Sequence, residues 1–187
     1  MLFSFLLPLT FLLTAPAQGP AKAPAPVKAT IGWLPDRPLT WADFQARPHA
    51  SEQLAALTSS TLDVQVGCTD FEFHATVSAV FVPSESWVRD VKRASPALLR
   101  HEQLHFDLTE LHARLLRQKL SLTKMNCMKL QPALNNMTNL AFAAWKREES
   151  RYDGETNHGL NTAKQEFWEA QVKQRLALLN QFAQAPK

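Results

Sequence analysis

The chain has 187 residues, 45% of them hydrophobic and 20% charged, values that suit one globular domain and leave little room for a second. Its net charge is only +3, and the basic residues are interspersed with acids, so no dense block or stripe argues for nucleic-acid binding.

The first segment sets the expected compartment. Leu2 to Leu13 is an uncharged apolar run, too short to span a bilayer comfortably, followed by Ala15-Pro16-Ala17 at the spacing of a signal-peptidase site. Residues 1–17 are therefore expected to be a secretory signal, despite an n-region without Lys or Arg and a proline inside the cleavage motif. No cysteine follows the run, which argues against a lipoprotein anchor. Residues 18–30, rich in Ala and Pro, cannot build a core and read as an extended tether. The folded domain is expected over 31–187, secreted or periplasmic, with no stable membrane insertion once the signal is removed. In such a compartment the two cysteines, Cys68 and Cys127, invite a structural disulfide, since their spacing is not that of a metal knuckle.

Trp41 and Phe44 anchor a short turn near the start of this domain. Thr61 to Val66 alternates apolar and polar residues, and Phe71 to Val82 does so more clearly, with Phe73, Val77, Ala79 and Phe81 on one face. The two runs predict an antiparallel pair joined through Gly67 to Asp70. Helical signals then take over. Ser95-Pro96 combines a capping serine with proline at the first helical position, and no Gly or Pro follows before about Leu122. A second helix is expected over roughly 128–149, a loop over 151–159, and a third helix over 161–182 with Phe167, Trp168, Val172, Leu176 and Leu179 as its apolar side. Strands followed by helices indicate an α+β fold, a small antiparallel sheet and then three helices.

The first helix carries His101-Glu102-Gln103-Leu104-His105. Histidines four apart lie one turn apart on one face, about 40° around the axis, and can share one tetrahedral Zn²⁺. Glu102 is rotated by about 100° from His101, so it flanks the metal, where a carboxylate can take a proton from water. A third ligand is required, and nearby groups fail: His112 is about 10 Å beyond His105 along the axis, and Glu110 points about 180° away from His101. The segment Tyr152 to Gly159 is polar and contains two glycines. It offers His158 first and Asp153 second as the ligand, with Glu148 or Glu149 behind them, and Tyr152 as a phenol able to stabilise an oxyanion. A helix-to-helix turn with a capping Asp would explain the same glycines.

Ser86-Trp87-Val88, Leu98 through Asp107, Glu110-Leu111, Ala113-Arg114, Tyr152-Asp153 and Thr156 through Gly159 resemble a family of bacterial proteins of unknown function catalogued as predicted secreted zinc-dependent proteases. Thr40-Trp41, Asp43-Phe44 and Thr58-Ser59-Ser60 share the likeness, which spans most of the chain after the tether. It implies a zincin-like fold and an exported peptidase acting on peptide or protein substrates, with His101 and His105 binding zinc, His158 matching a downstream histidine and Glu102 as general base. It also implies an edge strand above the metal, for which Phe71 to Val82 is the candidate. Three other readings remain in view. A zinc-dependent cell-wall amidase would use the same site. A non-catalytic metal-binding or interaction domain would not need Glu102, and an accidental motif would bind no zinc.

Overall fold

The structure is a computed structural model that describes residues 29–183. The expected signal segment and most of the tether lie outside these residues. Eight regular elements follow one another: β1 (Ile31–Gly32), β2 (Ala56–Leu57), β3 (Ser60–Thr69), β4 (Glu72–Phe81), β5 (Trp87–Val88), α1 (Pro96–Leu122), α2 (Ala133–Thr156) and α3 (Thr162–Leu178). The fold is α+β, with a small antiparallel sheet and three helices, as the order of sequence patterns predicts. No helix among the described residues is long and apolar enough to cross a membrane.

β3 and β4 form a ten-residue antiparallel hairpin from Ser60↔Phe81 to Thr69↔Glu72. Its turn is tighter than the expected Gly67–Asp70 connection. Asp70 and Phe71 are the two turn residues, with φ of 51° and 66°, the sign that a two-residue hairpin of right-handed twist demands. Gly67 stays inside β3 because the His74 ring of the paired strand lies over it; an added Cβ would fall 2.4 Å from His74 Nε2. β1 adds to the other side of β4 at Phe81 and Val80. β1 covers β4 only at Val80 and Phe81, but no β4 residue lines the cleft beside His101 and His105, which corrects the expectation that this long strand would lie over the metal as a substrate-binding edge. A separate two-stranded ribbon pairs β2 with β5.

α1 is the central element. Ser95 caps it by accepting a hydrogen bond from Leu98 N at 3.1 Å, and Pro96 opens the first turn. One side, with Phe106, Ala113, Leu116 and Leu120, packs against Leu62, Val77 and Phe81 of the sheet and Trp145 of α2. Another, with Leu104, Leu108 and Leu111, packs against Tyr152, Trp168 and Val172 of the other two helices. The expected apolar side of α3 is thus present in Trp168 and Val172, while Phe167 is exposed.

Burying a helix on both sides also buries charges, and these are paired. Glu110 is held by Arg114 at 2.8 Å and Arg117 at 3.0 Å. His112 Nε2 meets Glu148 Oε2 at 2.8 Å, and Glu148 also pairs with Arg175. Cys68 and Cys127 form a disulfide that joins the hairpin to the short turn before α2. Such a bond fits an oxidising compartment.

α2 differs from expectation in a way that shapes the site. It starts later than expected and continues through Thr156, so Tyr152 and Asp153 belong to its last turns and Gly154 lies within the helix. The polar segment read as a loop narrows to Asn157–Gly159, three consecutive residues with positive φ.

Candidate metal centre

His101 and His105 are one turn apart on α1, with ring centroids 4.9 Å apart and nearly perpendicular planes. α2 crosses beside them and presents Asp153. Its Oδ1 lies 3.3 Å from His101 Nε2 and 3.8 Å from His105 Nε2. One donor atom from each of these three residues falls within a 4.8 Å group, a possible metal-binding triad.

The remaining ring nitrogens are engaged. Tyr152 Oη is 2.7 Å from His101 Nδ1, and Gln165 Oε1 is 3.1 Å from it. The Tyr152 hydroxyl donates to Gln165 Oε1 at 2.8 Å, so it is free to accept from His101 Nδ1–H. On His105, Nδ1 bonds to the Glu149 carboxylate, whose other oxygen accepts from Trp145 Nε1 at 3.1 Å. Acceptors on both Nδ1 atoms favour the tautomers that leave both Nε2 lone pairs available to a metal shared with Asp153, whereas without a metal a proton on Nε2 is what faces the carboxylate. An orienting acceptor behind each histidine is the usual support of a metal-binding imidazole. Burial lowers the affinity of His105 for a proton. The hydrogen bond and charge of Glu149, with Glu102 and Asp153, outweigh it and raise its pKa. Burial likewise pushes Asp153 up, but the histidines around it hold it below the ordinary carboxylate range, ionised as a ligand must be.

The sequence-derived candidates take different places. Glu102 is 3% exposed, lines the cleft and accepts from the Thr58 hydroxyl at 2.7 Å. His158 stands one step behind the triad, its Nδ1 2.8 Å from Asp153 Oδ1, with its side chain half exposed. The reason is the helix length: Asp153 still faces α1, whereas His158 lies past the C-cap. Tyr152 is fully buried and stacks on the His101 ring. Its hydroxyl meets the Nδ1 side of His101, on the other side of the ring from the triad's Nε2. Burial also pushes its pKa above the ordinary phenol value. Of the remaining candidates, Glu148 is committed to His112 and Arg175, and Glu149 acts behind His105.

Thr58 and Gln165 stand outside the site motifs of the sequence. Thr58 lies in the Thr58-Ser59-Ser60 segment that carries part of the family likeness, a usable signal. Gln165 lies on α3, 64 residues from its partner His101, with no motif around it. Gly159 has φ +80°, and a Cβ there would come within 2.9 Å of His101 Cβ and Cγ. The strained turn therefore backs onto the His101 side chain.

The cleft has a volume of about 850 Å³ and runs from the triad along the first turns of α1, with Gln53 to Thr58 on one wall. Arg89 N donates to Ala55 O at 2.9 Å, and Leu57 pairs with Trp87. By antiparallel alternation, Ala56 between them turns its N–H and C=O to the other edge of β2, which pairs with no strand among the described residues.

A family model described as "Bacterial protein of unknown function (DUF922)" matches residues 45–159. The chain belongs to that family. The DUF922 match contains Thr58, Glu102, all three triad residues, His158 and Gly159, and it leaves Gln165 outside. No curated protein and no solved structure matches the chain.

Proposed function

We propose that this DUF922 protein is an exported zinc-dependent peptidase of zincin-like architecture, with His101, His105 and Asp153 holding the metal and Glu102 acting as general base. The observation that carries the reading is the convergence of two Nε2 atoms and one carboxylate oxygen, each histidine supported behind, beside a buried glutamate in an open cleft. Two imidazoles and a carboxylate suit zinc as a catalytic donor set with a position left for substrate or water. Bound zinc supplies Lewis acidity, which polarises a carbonyl and makes water acidic near neutral pH.

The chain's own groups do the rest. Glu102 takes the proton of the attacking water and passes it to the departing amine. Thr58 holds the carboxylate in place through its hydroxyl. Tyr152 and Gln165 keep the His101 ring oriented, and Glu149 does the same for His105. The free edge of β2 offers a peptide main chain a strand to pair with.

The test is zinc content per chain together with hydrolysis of an unstructured protein. About one zinc per chain is expected, kept in Glu102→Gln and lost in His101→Ala, His105→Ala and Asp153→Ala, with hydrolysis abolished in all four. Zinc retained in Asp153→Ala but lost in His158→Ala would move the third ligand to His158. Zinc bound without hydrolysis would leave a metal-binding domain, and no zinc after reconstitution would overturn the proposal.

A further inference from the structure

The cleft is not neutral along its length. Its acidic end is the metal centre, with Glu102 and Asp153; its other end, before α1 begins, carries Arg89, Asp90 and Arg93. Arg89 is committed to the protein: Nε donates to Leu54 O at 3.1 Å, another guanidinium nitrogen bonds Glu52 O, and the group lies 5.9 Å from the centre of the Trp87 ring. Asp90 Oδ1 accepts from Lys92 N at 3.0 Å. The exposed Arg93 side chain forms no hydrogen bond or ion pair with any described residue, and the first turn of α1 supplies no acid to neutralise it. Apolar side chains of Leu57, Ala94, Leu98 and Leu160 also line the cleft, and Ala94 and Leu98 fall between Arg93 and His101 along the chain.

Distance along α1 converts this into a substrate pattern. From His101 back to Ser95 is six residues, about 9 Å of axial rise, and Arg93 lies two residues further. An extended peptide covers about 3.3 Å per residue, so a peptide lying along α1 has its third residue from the metal at the level of Ser95, where the long Arg93 side chain can reach back to it. We infer that the cleft selects an extended peptide with a carboxylate about three residues from the bond at the metal and apolar side chains between them, Arg93 being the residue that reads the carboxylate. The inference rests on the peptidase reading of this cleft and adds the substrate class to it.

The experiment uses the zinc-loaded protein and quenched fluorogenic peptides of one apolar frame. Each carries Glu, Gln or Lys in turn at each of the four positions on either side of the cleavable bond. At one position about three residues from the bond, Glu is expected to lower KM relative to Gln by about three- to fivefold, the scale of a solvent-accessible charge pair. The advantage should vanish in Arg93→Ala, pass to the Lys peptide in Arg93→Glu, and shrink in about 0.5 M salt. Hydrolysis with equal KM for all three residues at every position, or a Glu preference that survives Arg93→Ala, overturns the inference and leaves the peptidase reading standing. Binding of the same peptides to Glu102→Gln separates the two failures. A Glu preference in binding without any turnover by wild type keeps the carboxylate inference and sinks hydrolysis; failure of every peptide to bind sinks both.

Discussion

Gly159 and the acceptors behind the two histidines show how much of the centre is decided atom by atom. A methyl group at Gly159 has no room, because His101 Cβ and Cγ would lie 2.9 Å away, and φ of +80° disfavours any side chain. Gly159→Ala is expected to displace His101 and to weaken zinc binding by about 5- to 150-fold, measured by competition with a chelator, the scale of the about 1–3 kcal/mol that such strain costs. Glu149→Gln and Tyr152→Phe probe orientation and leave the ligands themselves in place. Losing such a supporting group typically lowers metal affinity about 10- to 100-fold. Both variants should keep the far-ultraviolet circular dichroism of the wild type and bind zinc more weakly in the same chelator assay. Unchanged affinity in both would remove them from the metal centre.

At the scale of the elements, α1, α2 and α3 are joined by ion pairs as well as by apolar packing. Glu148 on α2 sits between His112 of α1 and Arg175 of α3. Burial alone would raise its pKa, but the hydrogen bonds and charges of these two partners prevail and take it to about 2, from an ordinary 4.5. A folded-state pKa below the unfolded value contributes stability that is complete above about pH 4.5 and is lost as pH falls towards 2. Unscreened, the shift corresponds to about 3 kcal/mol, and solvent at this partly open site reduces that to on the order of 1–2 kcal/mol. Urea unfolding of the wild type is therefore expected to move to lower concentrations across that window, and Glu148→Gln to show a flatter dependence on pH. Equal slopes would place the acid sensitivity elsewhere. The same contacts explain why Glu148, near enough in sequence to be weighed as a zinc ligand, is occupied elsewhere.

For the whole molecule, the largest constraint on the chain is the disulfide. Cys68 and Cys127 are 59 residues apart, and the closed loop contains the hairpin turn, all of β4, β5 and all of α1. A loop of this length corresponds to about 4 kcal/mol in the chain-entropy account. The Cys68→Ser/Cys127→Ser double variant is expected to unfold at clearly lower denaturant concentration. It should retain zinc under native conditions, because the triad lies near the start of α1 and the bond lies past its other end. Zinc loss in the folded double variant would show that the hairpin end and the metal centre are coupled.

The sequence by itself determined what depends on local periodicity and capping. The strand alternation of Thr61 to Val66 and Phe71 to Val82, the Ser95-Pro96 helix start, and the single-turn spacing of His101 and His105 are all local, and each element formed where these signals stood. The disulfide was legible because only two cysteines exist. Tertiary structure decided what depends on distant segments meeting. How far α2 runs is set by its packing on α1 and α3 more than by local propensity, since Gly154 and the polar run from Tyr152 looked like a loop. That length brings Asp153 to the two Nε2 atoms and leaves His158 behind it. It also turns Tyr152, with Gln165 of α3, to the far side of His101. The exchange of edges between β4 and β2 has the same origin: strand order is a long-range pairing that no alternation pattern encodes.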